Sequence, residues 1–112
     1  MILHNYLSNS GRDLIYEYIN SLPEAEKIDG YTVLQHMEKG EFDNILFKRW
    51  EKKVYEVYFQ KNNRVFYITV DKENIYLLHS CRKQKNKTEK KDANIVRKRA
   101  KELGNMLGRK FI

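Results

Sequence analysis

The chain has 112 residues, a single cysteine (Cys81), three scattered histidines (4, 36 and 79) and no apolar run of membrane-spanning length. That size suits one domain over residues 1–112, and the composition excludes an intramolecular disulfide, a transmembrane helix and any paired-Cys metal motif. The net charge is +7, and its distribution says more: residues 82–112 hold 12 basic and 3 acidic side chains, whereas residues 1–81 hold 10 basic and 12 acidic. A basic final quarter points to a polyanionic partner, RNA or DNA, or else to a solvated basic helix. The N-terminus lacks a signal-peptide pattern, and the lone cysteine fits a reducing cytoplasm. The chain also lacks a Gly-rich phosphate loop and a Gly-x-Ser-x-Gly elbow, so neither a cofactor nor a metal is expected.

Met1 to Leu7 is short and apolar and predicts an edge strand. Ser8 to Gly11 breaks the chain, with Asn9 or Ser10 as helix cap. Leu14, Ile15, Tyr18, Ile19 and Leu22 then recur at helical spacing through residues 11–22. Pro23 ends that helix and suits the first turn of the next, which Glu24 and Glu26 favour. The second helix spans 24–39, weakened by Gly30 and ended by Gly40. Residues 41–53 read as a polar connection with Trp50 tucked inward. Its Lys48, Arg49, Lys52 and Lys53 could touch a phosphate backbone.

Residues 54–85 hold three runs rich in Val, Ile, Tyr and Phe, divided by two short polar breaks, which predicts a three-stranded antiparallel meander. A two-residue turn at Asn62-Asn63 would set Phe59 opposite Phe66, Val57 opposite Ile68 and Tyr55 opposite Val70. That register gathers an apolar face and leaves Glu56, Tyr58, Gln60, Val65, Tyr67 and Thr69 on a more polar one, free for work. It also sets Arg64 on the apolar side, in tension with any role at a surface. After the lysine-rich stretch, Thr88 is a candidate cap for a basic helix that runs to about Leu107 and frays at Gly104 and Gly108.

Several residues here could handle RNA. His79, near a strand end, can exchange protons near neutral pH. Glu56 could be a base or the partner of a nearby lysine. Lys83 and Lys85 leave the last strand where they could grip phosphates, with Arg82 and Lys87 beside them. Tyr58 and Tyr67 could stack on unpaired bases. Cys81 reads as a small packed residue.

Tyr55-Glu56-Val57-Tyr58, Arg64-Val65-Phe66-Tyr67, Ile75-Tyr76-Leu77-Leu78-His79-Ser80 and the lysines at 83, 85 and 87 together resemble the RelE/ParE toxin superfamily, and most of all its phage-derived HigB-type branch. The likeness covers residues from about 44 to 103. Two positions depart from the family pattern: Tyr58 stands where an Arg follows Glu-Leu, and Ser80-Cys81 where Gly-Phe follows His. The resemblance implies a RelE-like α+β fold: a mixed, mainly antiparallel sheet of an N-terminal strand plus the meander, with an N-terminal α-hairpin and a basic C-terminal helix. It implies the toxin of a type II toxin-antitoxin system, a metal-independent, ribosome-dependent mRNA endonuclease. Its partners would be a HigA-like helix-turn-helix antitoxin, the ribosome and mRNA, with operator DNA met only through the antitoxin and no membrane. On that pattern Arg64 becomes the phosphate stabiliser, with His79, Lys83, Lys85 and Glu56 completing the catalytic set. Two other readings stay open: a non-catalytic basic nucleic-acid binder, and a ParE-like toxin of gyrase.

Overall fold

A computed structural model describes residues 1–83 and 88–112. Five strands form one sheet: β1 (Ile2–Asn5), β2 (Leu46–Glu51), β3 (Val54–Phe59), β4 (Asn63–Thr69) and β5 (Asn74–Arg82), in the order β1-β5-β4-β3-β2. β1 runs parallel to β5 at one edge, and all other pairs are antiparallel. The sheet is therefore one strand larger than the sequence suggests. Residues 41–53, expected as a connection, contain a short 3₁₀ turn (Phe42–Asn44) followed by β2. Polar Lys48 and Arg49 disguise this edge strand, and edge strands carry such charges because they deter further pairing.

Helices α1 (Leu14–Asn20) and α2 (Glu24–Glu38) pack as a hairpin on one face. Asp13 caps α1, not Asn9 or Ser10: its side chain accepts from the Tyr16 amide at 2.9 Å. Gly30 sits where α2 crosses the sheet. A Cβ there would stand 3.0 Å from the Phe59 ring, so the glycine permits close packing. Helix α3 (Lys90–Leu107) covers the other face through Val96, Ala100 and Leu103. It begins one residue later than Thr88 as a cap suggests, with Glu89 as its cap residue. Its end is not frayed. Gly104 is buried beneath the returning chain, where a Cβ would collide with the Arg109 carbonyl oxygen, and Gly108 closes the helix at φ 67°.

The predicted hairpin register is overturned. Phe59 pairs with Asn63, Val57 with Val65 and Tyr55 with Tyr67. The loop is Gln60, Lys61 and Asn62, with Lys61 and Asn62 taking the positive φ values (65° and 63°). Phe59 and Phe66 therefore lie on opposite faces. Val57, Phe59, Val65 and Tyr67 face the α-hairpin, while Val54, Phe66 and Ile68 face α3. Both faces are buried, so apolar alternation matches either register equally well and cannot choose between them. A polar residue makes the choice. Asn63, fully buried, accepts from the Tyr18 hydroxyl and donates to Glu26 Oε1 at 2.9 Å and to the Gln60 carbonyl at 2.8 Å. A one-residue slip would turn that amide to the other face of the sheet, away from those partners.

Candidate functional site

Side-chain alternation decides which charges meet. Glu56 and Tyr58 on β3, Arg64 and Phe66 on β4, and His79 and Cys81 on β5 share the α3 face. Toward the β3–β4 loop this face is built from charge instead of hydrocarbon. Arg64 Nε donates to Glu56 Oε1 at 3.0 Å, and Lys83 Nζ donates to the same oxygen at 2.8 Å. The side chain of Glu56 is 0% exposed, that of Lys83 3% and that of Arg64 12%. Glu56 Oε2, also buried, takes no hydrogen bond among the described residues. Arg64 further donates to the Asn63 carbonyl at 3.2 Å and lays its guanidinium over the Tyr58 ring, 4.6 Å from the centroid. Buried charges persist only when paired. Here one carboxylate holds two cations in place, and the cluster keeps one net positive charge.

His79 belongs to a second cluster. Its ring stacks on Phe66 at 6.4 Å, with Glu56 on the far side of that phenyl ring, since Glu56 pairs across the strands with Phe66 and Phe66 with His79. His79 Nε2 lies 2.8 Å from Asp92 Oδ1, and Arg99 Nη1 approaches His79 Nδ1 at 3.3 Å while donating to the Leu78 carbonyl at 2.8 Å. An arginine can only donate, so Nδ1 is the lone-pair nitrogen and Nε2–H donates to Asp92. Burial lowers the His79 pKa, Asp92 pulls it back up, and Arg99 and Lys91 lower it further. The imidazole is thus neutral at neutral pH, oriented by a carboxylate at one nitrogen and with its lone pair at the other facing Arg99. This is the arrangement that an orienting acid gives a general base.

His79, Cys81 and Asp92 also bring three potential metal-ligating atoms within 4.8 Å of one another. The position of Arg99 opposes a cation there, while Cys81 is a packed thiol that burial pushes up to about 12. A metal on His79 Nε2 would move the ring proton to Nδ1, against Arg99, where a ligating histidine wants an acceptor.

The other sequence candidates scatter. Tyr67 is not on the α3 face and cannot stack on RNA: it is 2% exposed in the α-hairpin core. Tyr58 is half-buried beside Arg64 and belongs to neither core. Arg82 sits on the α-hairpin side, donating to Glu26 Oε1 at 2.6 Å and to the Lys61 carbonyl at 2.9 Å, so it ties the loop to α2. Lys48 is exposed and pairs across the strands with Glu56. Arg49 and Lys52 lie at the opposite end of the sheet, where they line a cavity of about 470 Å³ with Lys53 and Lys110. Lys85 and Lys87 lie outside the described residues. Sequence reading missed Asp92 and Arg99. Asp92 looked like an ordinary first-turn acid, and nothing local marks a helical arginine as a histidine's neighbour.

Residues 17–101 match the phage-derived Gp49-like family. The chain belongs to that family. Gp49-like proteins are type II toxins of the RelE/HigB kind, a class that works against a cognate antitoxin. No curated protein matches the chain significantly. Among the described residues, no helix is long and apolar enough to cross a membrane.

Proposed function

We propose that this Gp49-like chain is a HigB-type mRNA endonuclease that cleaves translated mRNA on the ribosome, held in check by a HigA-like helix-turn-helix antitoxin. The observation that carries the reading is the pair of cations, Arg64 and Lys83, fixed by a buried Glu56 on the same sheet face as the Asp92-oriented His79. RNA cleavage without a metal needs three things: removal of the 2′-hydroxyl proton, stabilisation of the phosphorane, and protonation of the 5′-oxygen. In this reading Arg99 leaves His79 Nδ1 for the incoming phosphate, the freed Nδ1 takes the 2′ proton, the O2′–P bond forms and the P–O5′ bond breaks. Arg64, with Lys83 behind it, balances the charge on the phosphoryl oxygens, and solvent protonates the leaving 5′-oxygen. Fixed donors at developing charge and a positioned base each contribute about 10²–10³-fold or more. Glu56 is the anchor of the cations instead of the base, because it is fully buried and no substrate hydroxyl reaches it.

The test is end-mapping of mRNA in a translating extract given the purified chain. The expected product ends in a 2′,3′-cyclic phosphate, and Arg64→Ala should slow single-turnover cleavage with little change in ribosome binding. Products with only 3′-hydroxyl ends, or full activity on naked RNA driven by added divalent metal, would overturn the mechanism. The chain should also co-purify with its antitoxin as an inactive complex. High-level expression of the lone chain without a growth defect would count against the toxin reading.

A further inference from the structure

A cavity of about 570 Å³ opens at the loop end of the sheet, where the β3–β4 loop, the start of β2 and helix α2 meet. Its lining includes Asp29, Asn44, Tyr58, Lys61, Asn62 and Arg64. We infer that this cavity is a subsite for one unstacked RNA base carrying an exocyclic amino group, next to the phosphate that Arg64 would hold. The inference rests on the endonuclease reading only for its choice of RNA.

Three observations carry it. The first is a planar surface without a structural duty. Tyr58 lies mid-strand yet packs in neither core, its cross-strand neighbour Leu46 is 62% exposed, and its ring already carries the Arg64 guanidinium. Unpaired RNA bases stack on such aromatic and guanidinium planes. The second is unused hydrogen-bonding capacity. Asp29 Oδ2 accepts from the Gln60 amide at 3.1 Å, but Oδ1 takes no hydrogen bond, and the side-chain amides of Asn44 and Asn62 make none, among the described residues. Such groups read base edges, and a carboxylate can only accept. It therefore favours the amino groups of adenine, cytosine and guanine over uracil, whose edge offers one N–H between two carbonyl oxygens. The third is continuity: Arg64 lines the cavity and also belongs to the Glu56–Lys83 cluster, so one side chain joins a base position to a phosphate position. The volume lies within the usual range for a small-ligand pocket, roughly 300–1,000 Å³.

The test is an amide-resolved NMR titration of the full chain with the four nucleoside 3′-monophosphates, and with inorganic phosphate as the reference. Adenosine, cytidine and guanosine monophosphates should shift the Asn44, Gln60 and Asn62 amides and bind about 10- to 100-fold tighter than uridine monophosphate, the worth of one hydrogen bond to a charged group. Asp29→Asn keeps an acceptor for the Gln60 amide and should abolish the discrimination. Tyr58→Ala should weaken all four nucleotides, while Tyr58→Phe should not. Equal binding of all four, phosphate alone producing the same shifts, or an unchanged preference in Asp29→Asn would each overturn the subsite. Base discrimination without any mRNA cleavage would keep the subsite and sink the endonuclease reading. Cleavage without discrimination would do the reverse.

Discussion

The two faces of the sheet solve the same packing problem differently. Beneath α1 and α2 the surface is almost wholly hydrocarbon; its buried Asn63 is satisfied by Glu26, Tyr18 and a backbone carbonyl, while the buried Ser80 hydroxyl takes no partner among the described residues. Beneath α3 the hydrocarbon stops short. Toward the loop end it gives way to Glu56, Arg64, Lys83, His79 and Asp92, with one buried carboxylate oxygen left unpaired among the described residues. A polar network that only fixes a fold is closed on itself, as Asn63's is. The cluster on the α3 face instead keeps net positive charge and a buried oxygen without a hydrogen bond, an exception to full satisfaction of the kind proteins tolerate at working sites.

The sharpest way to break this contrast is Glu56→Ala. It leaves two cations buried without their counter-ion and should cost about 3–5 kcal/mol in urea unfolding. A loss below 1 kcal/mol would mean that the cluster is solvated and not preorganised. Asn63 is the matching probe on the other face. Asn63→Ala strands Glu26 and Tyr18, at a cost of about 1–3 kcal/mol. Asn63→Gly should cost at least as much, because Asn63 is a strand residue without positive φ and a glycine there adds only unfolded-state freedom. Stability equal to wild type in the glycine variant would reinstate the two-residue turn.

A third comparison reads the His79 environment directly. Asp92 raises the His79 pKa and Arg99 lowers it, so Asp92→Asn should move its NMR titration midpoint down and Arg99→Gln should move it up. Shifts in the same direction would reject the tautomer assigned above. Because His79 takes up its proton at lower pH when folded than its ordinary 6.5, the folded state loses stability as pH falls from 6.5 through that depressed value. Cleavage should fade over the same interval, as the base becomes protonated. The smallest effect belongs to the loop. Lys61→Gly relieves a left-handed φ and should stabilise by no more than about 1 kcal/mol.

The sequence by itself determined the α-hairpin, the strands from Val54 to Arg82, the basic final helix and the toxin family, because periodicity, turn residues and family tetrapeptides are local signals. It also singled out Arg64, Glu56, His79 and Lys83 as the residues of interest. It could not determine the register, since two buried faces make both alternations apolar and the choice falls to Asn63's distant partners Tyr18 and Glu26. Nor could it show that Leu46–Glu51 is a strand, because an edge strand's charges read as a loop. The roles were likewise tertiary. Glu56 became an anchor only when β4 and β5 brought Arg64 and Lys83 to one of its oxygens, and His79 acquired Asp92 and Arg99 only when α3 folded back across β5. Contacts between residues 8 to 27 positions apart are made by packing, and no local pattern announces them.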